Sequence, residues 1–358
     1  MRMNKTQISV IIPVYNGSEY IASCLDSIIY QNNSHQLEII IVDDGSVDDT
    51  HDIVRRYQLK YPNISLLRQK NAGVSAARNN GIRAAHGKFV TFIDADDMVG
   101  AAPKFANQLY KTSIRKLHKN DVRIFRSPVI NSKSRVILGR NYFTEMLNIA
   151  HQTNSDVVLG GKITHKQMLT TEYFTAHLYD RHITYDATPT EKAILLYQAD
   201  LRESANAALY RRSFLRKNKL RFIDGMNLDE DILFCMLAVF KANRVSTAPD
   251  TIYVYNRHCN SLSNFNHSET TRSKYCIANI QRFSLLLTEL SRSTKYAQNY
   301  NYWLKKFSEL SNVYQERDEN YPPSTCMACP YDKCDRCFQN ETIKILIQKN
   351  IENFLPKR

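Results

Sequence analysis

Phe89-Val90-Thr91-Phe92-Ile93-Asp94-Ala95-Asp96-Asp97 is an apolar, β-branched run that ends in three carboxylates within four positions. The run predicts a buried strand, and the acids fall where that strand leaves its sheet. Carboxylates this close repel one another and raise each other's pKa unless something cationic sits between them. A divalent metal with oxygen ligands would do that, and a nucleotide diphosphate would complete its shell. A solvated acidic turn capping the next helix is the plainer alternative.

Working back toward the N-terminus, Ile8 to Pro13 is a short apolar run stopped by Pro13, and it predicts the first strand. Asn16, Gly17 and Ser18 offer turn and N-cap chemistry, and Ile21, Leu25, Ile28 and Ile29 follow at helical spacing. Leu37 to Val42 predicts the second strand, ending in Asp43-Asp44-Gly45-Ser46. A helix from about Asp49 to Lys60 comes next, then a short strand from Ile64 to Leu67. A helix from Ala72 to Ala85 follows, with Gly87 placed as its C-terminal stop. This alternation predicts an α/β protein with a parallel sheet covered by helices on both faces, whose ligands bind beyond the carboxyl ends of the strands. Both acidic clusters, Asp43-Asp44 and Asp94 to Asp97, sit at such ends. The first strand-to-helix turn, Pro13-Val14-Tyr15-Asn16-Gly17, is not a G-x-G-x-x-G loop, which disfavours a dinucleotide-binding domain.

Toward the C-terminus the pattern loosens. Residues 111–140 carry nine Lys or Arg against the single Asp121. Asp156 to Gly161 predicts a strand ending in a turn at Gly160-Gly161, and Pro189 to Gln198 a helix. A second basic run, Arg202 to Arg221, precedes Asp224-Gly225-Met226-Asn227-Leu228-Asp229-Glu230-Asp231, which opens an apolar helix from Ile232 to Phe240. Acids suit a helix N-terminus, but Asp229, Glu230 and Asp231 together exceed what capping requires. Thr251 to Tyr255 predicts a strand that leads into Asn256-Arg257-His258-Cys259-Asn260-Ser261. Beyond residue 268 the chain reads as helical and Tyr-rich, breaks at Pro322-Pro323 and closes with a helix near Glu341 to Phe354.

These stretches together resemble a family 2 glycosyltransferase of GT-A fold. The likeness rests on Ile8 to Asn16, Ile41 to Ser46, Asn71-Ala72-Gly73-Val74-Ser75-Ala76-Ala77-Arg78-Asn79 and Ile93 to Asp97, four motifs in order. It resumes at Leu209-Tyr210-Arg211-Arg212, Glu230-Asp231 and Tyr253 to Ser261. The resemblance covers roughly 6–100 and 200–265, and the interval from Asp97 to Asp156 is longer than the family pattern. It implies a Rossmann-like GT-A domain over 1–265, with 266–358 as a mainly helical C-terminal extension. It implies metal-dependent, inverting transfer of a sugar from a nucleotide-diphosphate donor, UDP-sugars favoured, to an acceptor hydroxyl in polysaccharide or glycolipid synthesis. Asp43 and Asp44 would bind base and ribose, and Pro13, Val14 and Tyr15 would border the base. Asp94 and Asp96 would hold ribose and Mn²⁺ or Mg²⁺, and Glu230-Asp231 contains the general base, with Asp231 favoured.

The chemistry fits independently of the family. A sugar hydroxyl is a poor nucleophile, so a carboxylate must take its proton as attack proceeds. The leaving nucleoside diphosphate gains negative charge, which a divalent ion and nearby cations stabilise. Arg78, Arg257 and His258 are candidate cations, although a solvated or surface-paired side chain is the plainer reading of each.

Composition sets the remaining limits. A chain of 358 residues that is 43% hydrophobic and 23% charged is an ordinary globular protein. Its formal net charge of +13 points to an anionic partner. The basic runs are solvated faces, an attachment to an anionic membrane leaflet, or a grip on a phosphorylated, glycan or lipid-linked acceptor. No signal-peptide core opens the chain and no window approaches eighteen consecutive apolar residues. The expectation is a cytoplasmic protein, peripheral on the inner face of the plasma membrane, whose thiols stay reduced. Cys326, Cys329, Cys334 and Cys337 form C-x2-C-x4-C-x2-C, which suits a structural zinc, free thiols or an iron–sulfur site. Cys24 and Cys235 fall on apolar helical faces and read as core. Two rivals stand beside the enzyme: an inactive nucleotide-sugar-binding scaffold, and a nucleic-acid binder. The acidic strand ends are a poor face for a phosphate backbone, so no nucleic-acid partner is expected.

Overall fold

Every residue of the first strand, β1 (Ile8–Val14), is buried, which places it inside a sheet covered on both faces. In the computed structural model, which describes residues 6–101, 140–168, 171–177, 182, 184–186, 204–226, 228–257, 285, 286 and 288, β1 lies between β2 (Leu37–Asp43) and β4 (Phe89–Phe92). β3 (Ile64–Arg68) flanks β2, and all of these pairings are parallel. Side chains alternate between two cores. Ile11, Ile40, Val42 and Phe92 enter one, with Ala77 of α3 (Val74–Ala84). Val10, Ile12, Ile39 and Ile41 enter the other, beneath α1 (Ile21–Ile29) and α2 (Thr50–Lys60).

The parallel rhythm stops at β4. Across the rest of the sheet the order is β4-β9-β6-β10-β5. Here β5 is Met98–Ala101, β6 is Val157–Met168, β9 is Ala208–Arg211 and β10 is Arg244–Arg257. β9 is antiparallel to β4 and β6, β6 is parallel to β10, and β5 is antiparallel to β10. The short strands β7 (Thr171–His177) and β8 (Thr184–Asp186) pair antiparallel with β6 and β10. The expected parallel sheet is therefore parallel only over β3-β2-β1-β4. A parallel neighbour requires a crossover back to the amino edge. β9 instead starts from a 3₁₀ turn at Ala205–Ala207, on the carboxyl side of β4, and runs down the sheet.

Three local expectations shift for packing reasons. Pro13 does not stop β1, because β4 pairs only with Ile8 to Ile11 and Pro13 lies past that ladder. Gly160-Gly161 makes no turn: β6 runs straight through it, and a Cβ at Gly160 would lie 2.7 Å from both Thr251 Oγ1 and Met146 Cε. Gly87 is not a left-handed helix stop. The C-cap of α3 is Ala85 in extended backbone, and a Cβ at Gly87 would stand 2.6 Å from the Ser9 main-chain nitrogen.

α4 (Tyr142–Gln152) closes the core under α1, while α5 (Arg212–Lys217) and α6 (Glu230–Lys241) build the other. Cys24 and Cys235 are buried in these cores as read from the sequence. Leu286 is also fully buried beside α6. Residues 111–139 of the first basic run, the helix expected over 189–198, His258 and the Cys326, Cys329, Cys334 and Cys337 cluster lie outside the described residues. Among the described residues no helix is long and apolar enough to cross a membrane.

Gly87→Ala is expected to destabilise the fold by about 1–3 kcal/mol, because the added methyl meets backbone that cannot yield. Urea denaturation measures this, and a midpoint equal to wild type would overturn the packing account.

Candidate active site

The carboxyl ends of β1 and β2 are knitted into one rim. Asn16 N–H donates to Ser46 Oγ at 2.9 Å, Gly17 N–H to Thr50 Oγ1 at 2.8 Å and Ser18 N–H to Asp48 Oδ2 at 3.0 Å. Asn16 has φ of 49°, and its side chain accepts from Val47 N–H at 2.9 Å. Beside this rim Tyr15 is 53% and Val47 85% exposed. Pro13 and Val14 are buried behind them.

Asp43 and Asp44 are both buried, and they differ in what they hold. Asp44 accepts from Gln69 Nε2 and Ala72 N–H at 2.8 Å and from Gly73 N–H at 2.9 Å, which fixes the loop that opens α3. Asp43 Oδ1 accepts from Ser46 N–H at 2.8 Å. Asp43 Oδ2 has no hydrogen-bond donor, although Arg68 Nε lies 3.5 Å away and His51 Nδ1 4.0 Å.

The acidic turn after β4 meets the acidic start of α6 across one arginine. Arg78, on α3, donates from Nη2 to Asp94 Oδ1 at 2.8 Å and from Nη1 to Glu230 Oε1 at 2.7 Å. Its side chain is 3% exposed, and the guanidinium lies 5.1 Å from the ring centroid of Phe222. The solvated reading of Arg78 is thereby corrected: two carboxylates and an aromatic face outweigh the penalty of burying the charge. Against the burial that lowers it, the charges of Asp94, Glu230 and Asp231 hold the guanidinium pKa above its ordinary value. The second oxygen of Asp94 accepts from Asn206 Nδ2 at 2.5 Å. Asn206, from the 3₁₀ turn before β9, was not singled out in the sequence, where only its place just ahead of Leu209-Tyr210-Arg211-Arg212 could have drawn attention.

Asp231 lies beside Glu230 in the first turn of α6 and is partly buried. Burial and then the Glu230 charge push its carboxyl up to about 7, against the opposing charges of Arg78 and Lys162 and with a further push from Asp229. Lys162, on β6, is a second residue that local pattern did not mark; its ammonium lies 4.5 Å from the Tyr255 ring centroid and 3.4 Å from Ser204 Oγ. Asp97, the third acid of the turn, is fully buried and points away from Arg78, into β10. Burial, then Asp96 and Asp94, push its carboxyl well above the usual carboxylate range.

Asp94 and Asp96 offer the hard oxygen donors that suit Mg²⁺ or Mn²⁺. Each Asp94 oxygen already accepts one hydrogen bond but keeps further lone-pair capacity. Among the described residues no three His, Cys, Asp or Glu side chains gather to hold a metal by themselves. The donor set thus fits a divalent ion that brings its remaining ligands with it, as diphosphate oxygens and water would supply.

Comparison with known proteins agrees with this geometry. Residues 9–110 match the sequence profile of the family described as glycosyl transferase family 2. The uncharacterized glycosyltransferase YibD of Escherichia coli is 29% identical over 289 residues, covering 80% of this chain and 71% of YibD. The poly(ribitol-phosphate) beta-N-acetylglucosaminyltransferase TarS of Staphylococcus aureus is 27% identical over 256 residues, 70% of this chain but 35% of TarS. The chain therefore spans about a third of that relative. The solved structure of TarS 1–349 superposes with a TM-score of 0.57 at 20% identity, covering 87% of this chain and 75% of that one. Its UDP-GlcNAc complex gives 0.53 at 20% identity, over 86% and 81%. A mannosyltransferase from Pyrobaculum calidifontis with GDP-Man and Mn²⁺ gives 0.50 at 16% identity, over 98% and 87%. At these identities the likeness is one of fold, and that fold is GT-A.

Arg78→Ala is expected to destabilise the protein by about 3–5 kcal/mol, since it strands Asp94 and Glu230 without their shared cation. Arg78→Lys is expected to recover only part of this, because an ammonium lacks the fork that reaches both acids. Chemical denaturation of the two variants checks this; equal stability of Arg78→Ala and wild type would overturn the bridge.

Proposed function

We propose that this protein, whose residues 9–110 match the profile of glycosyl transferase family 2, transfers a sugar from a nucleotide-diphosphate donor, a UDP-sugar by preference, to an acceptor hydroxyl with inversion at the anomeric carbon. The observation that carries the reading is the meeting of Asp94 and Glu230, from distant parts of the chain, on the two arms of one buried arginine. That bridge brings the donor-side acids and the candidate base to a single sheet edge.

The residues divide the work as follows. Tyr15, with Pro13 and Val14 behind it, borders the base. Asp43 Oδ2, the oxygen of its carboxylate without a hydrogen-bond donor, accepts from base or ribose. Asp44 shapes that pocket through the loop that it anchors. Asp94 and Asp96 hold ribose and a Mn²⁺ or Mg²⁺ ion, which when bound stabilises the charge developing on the nucleoside diphosphate. Asp231 takes the proton of the acceptor hydroxyl; a pKa near the working pH lets it be ionised before attack and an effective proton acceptor during it. Glu230, held by Arg78, orients the first turn of α6 that carries Asp231.

Inversion follows if the acceptor oxygen displaces the diphosphate directly from the opposite face, with one base and no covalent intermediate. A sugar α-linked to its nucleotide then becomes β-linked, which is the linkage in the name of TarS. The acceptor best supported is a hydroxyl on an anionic glycan or polyol-phosphate chain, given the net charge of +13. Lys88, Arg211, Arg212 and Arg244 lie at the amino edge of the sheet, opposite the acids. A basic edge of this kind favours peripheral attachment to an anionic leaflet, with the acidic edge left open to donor and acceptor. The chemistry belongs to a domain of residues 1–265, with 266–358 as a C-terminal extension.

Incubation with UDP-, GDP-, CMP- and dTDP-sugars is expected to raise the melting temperature with UDP-sugars, and only when Mn²⁺ or Mg²⁺ is present. No rise with any donor, in folded protein, would overturn the reading; a rise without transfer to any anionic acceptor would favour a scaffold. The pH profile of kcat/KM is a separate check. Asp231 acts as its carboxylate, so activity is expected to climb with pH and reach half its plateau near pH 7. Asp231→Asn is expected to lower kcat by about 10²–10⁴-fold and abolish that limb. A profile flat from pH 5 to 8 would remove Asp231 from the role of base.

A further inference from the structure

We propose that Tyr253 and Asn256 are positioning residues for the donor, clamping the turn Asp94–Asp97 in the backbone geometry that presents Asp94 and Asp96, with Asp97 as the clamp's buried anchor. The inference rests on the nucleotide-sugar reading of the site and adds to it three residues that touch neither donor nor acceptor.

The contacts come from one strand and reach nearly every residue of the turn. Tyr253, fully buried on β10, donates its hydroxyl proton to Asp97 Oδ2, 156 positions away in sequence. The same hydroxyl oxygen accepts from Asp94 N–H at 3.1 Å. Asn256 N–H donates to Asp97 Oδ1 at 2.9 Å, and Asn256 Nδ2 donates to the Asp96 carbonyl at 2.8 Å. The turn closes on itself through Asp97 N–H to the Asp94 carbonyl at 3.0 Å. From behind, the buried Cys24 thiol lies 3.5 Å from the same carbonyl. Asp94 and Asp96 are thus gripped by their main chain.

Asp97 is gripped by its side chain instead. Both of its oxygens are occupied within a fully buried pocket, so it cannot turn toward a donor without breaking the clamp. The strand doing the holding is itself fixed, since Tyr253 pairs with Val99 of β5 on one side and Lys162 of β6 on the other. Lys162 is, after Arg78, a cation whose charge acts on Asp231. One register therefore sets the donor-side turn relative to the base-side charge. Binding of a metal–diphosphate is sensitive to this, because ligating groups must be held within about 0.5 Å of their productive positions.

A Tyr–Asp bond in a core could do no more than stabilise the fold, and the test separates the two roles. UDP is titrated calorimetrically into wild type, Tyr253→Phe and Asn256→Ala, with Mn²⁺ or with EDTA, well below the melting temperature of each. Amide hydrogen exchange over 94–97 is followed in the same proteins without ligand. Tyr253→Phe is expected to weaken UDP binding in Mn²⁺ by about tenfold, while affinity in EDTA stays within about twofold. Exchange at Asp94 and Asp97 should accelerate while β1 and β2 stay protected. Asn256→Ala keeps its main-chain bond to Asp97 and loses only the bond to the Asp96 carbonyl. The same pattern is expected at smaller amplitude, and this variant carries the test if Tyr253→Phe does not fold. A lower melting temperature with unchanged Mn²⁺-dependent affinity, or equal losses with and without Mn²⁺, would overturn the positioning role. Wild-type protein that binds no UDP in Mn²⁺ would overturn the donor reading instead, and unchanged exchange at 94–97 would overturn the clamp regardless.

Discussion

A guanidinium with 3% exposure cannot stand in a protein interior without anionic partners, and Arg78 finds its two in Asp94 and Glu230. Those acids would in turn repel one another at this spacing if the arginine were absent. The bridge therefore sets the relative positions of three elements: α3, the turn after β4, and the start of α6. Beneath it, Phe222 and Phe234 stack with centroids 4.2 Å apart, and the guanidinium lies over the Phe222 face. Charge and packing support each other here, because the aromatic floor excludes the water that would screen the ion pairs.

The change of sheet character at β4 has a functional consequence. Four parallel strands and their helices are enough to build the rim that carries Asp43 and Asp44. They do not carry Lys162, Asn206, Tyr253 or Glu230. Those residues arrive because β9 runs antiparallel from a 3₁₀ turn at the carboxyl side, and because β6 and β10 follow as a parallel pair. The site is a seam between the two halves of one sheet. The acids of the site gather at the carboxyl edge, while at the amino edge Arg211 pairs with Asp156, and Arg212 and Arg244 donate to the main-chain carbonyls of Ala85, Gly87 and Thr153. Several of the positive charges are thus structural staples as well as a surface field.

Much of this was legible in the amino-acid order. Apolar runs with period two or near 3.6 placed the first four strands and their helices almost to the residue. Asp43, Asp44, Asp94, Asp96, Glu230 and Asp231 could be singled out because acids at the ends of apolar runs are a local signal. The roles of the glycines were not legible. Gly87 looked like a helix stop and Gly160 like a turn, yet both are small because another segment packs against them. Arg78 was legible as a candidate cation, but not as the shared partner of Asp94 and Glu230, since Glu230 lies 152 positions away.

Amino-acid order alone carries the class of fold, the edge of the sheet that gathers the acids and the carboxylates available there. These depend on neighbours a few residues apart, which periodicity and charge spacing encode. Which acids share Arg78, which oxygen of Asp43 lacks a donor, the inward turn of Asp97 to Tyr253 and the bond from Asn206 to Asp94 are set by the folded chain instead. Each of those facts is a contact between residues far apart in the chain. Burial and electrostatic coupling belong to such pairs rather than to either residue, so no local pattern records them.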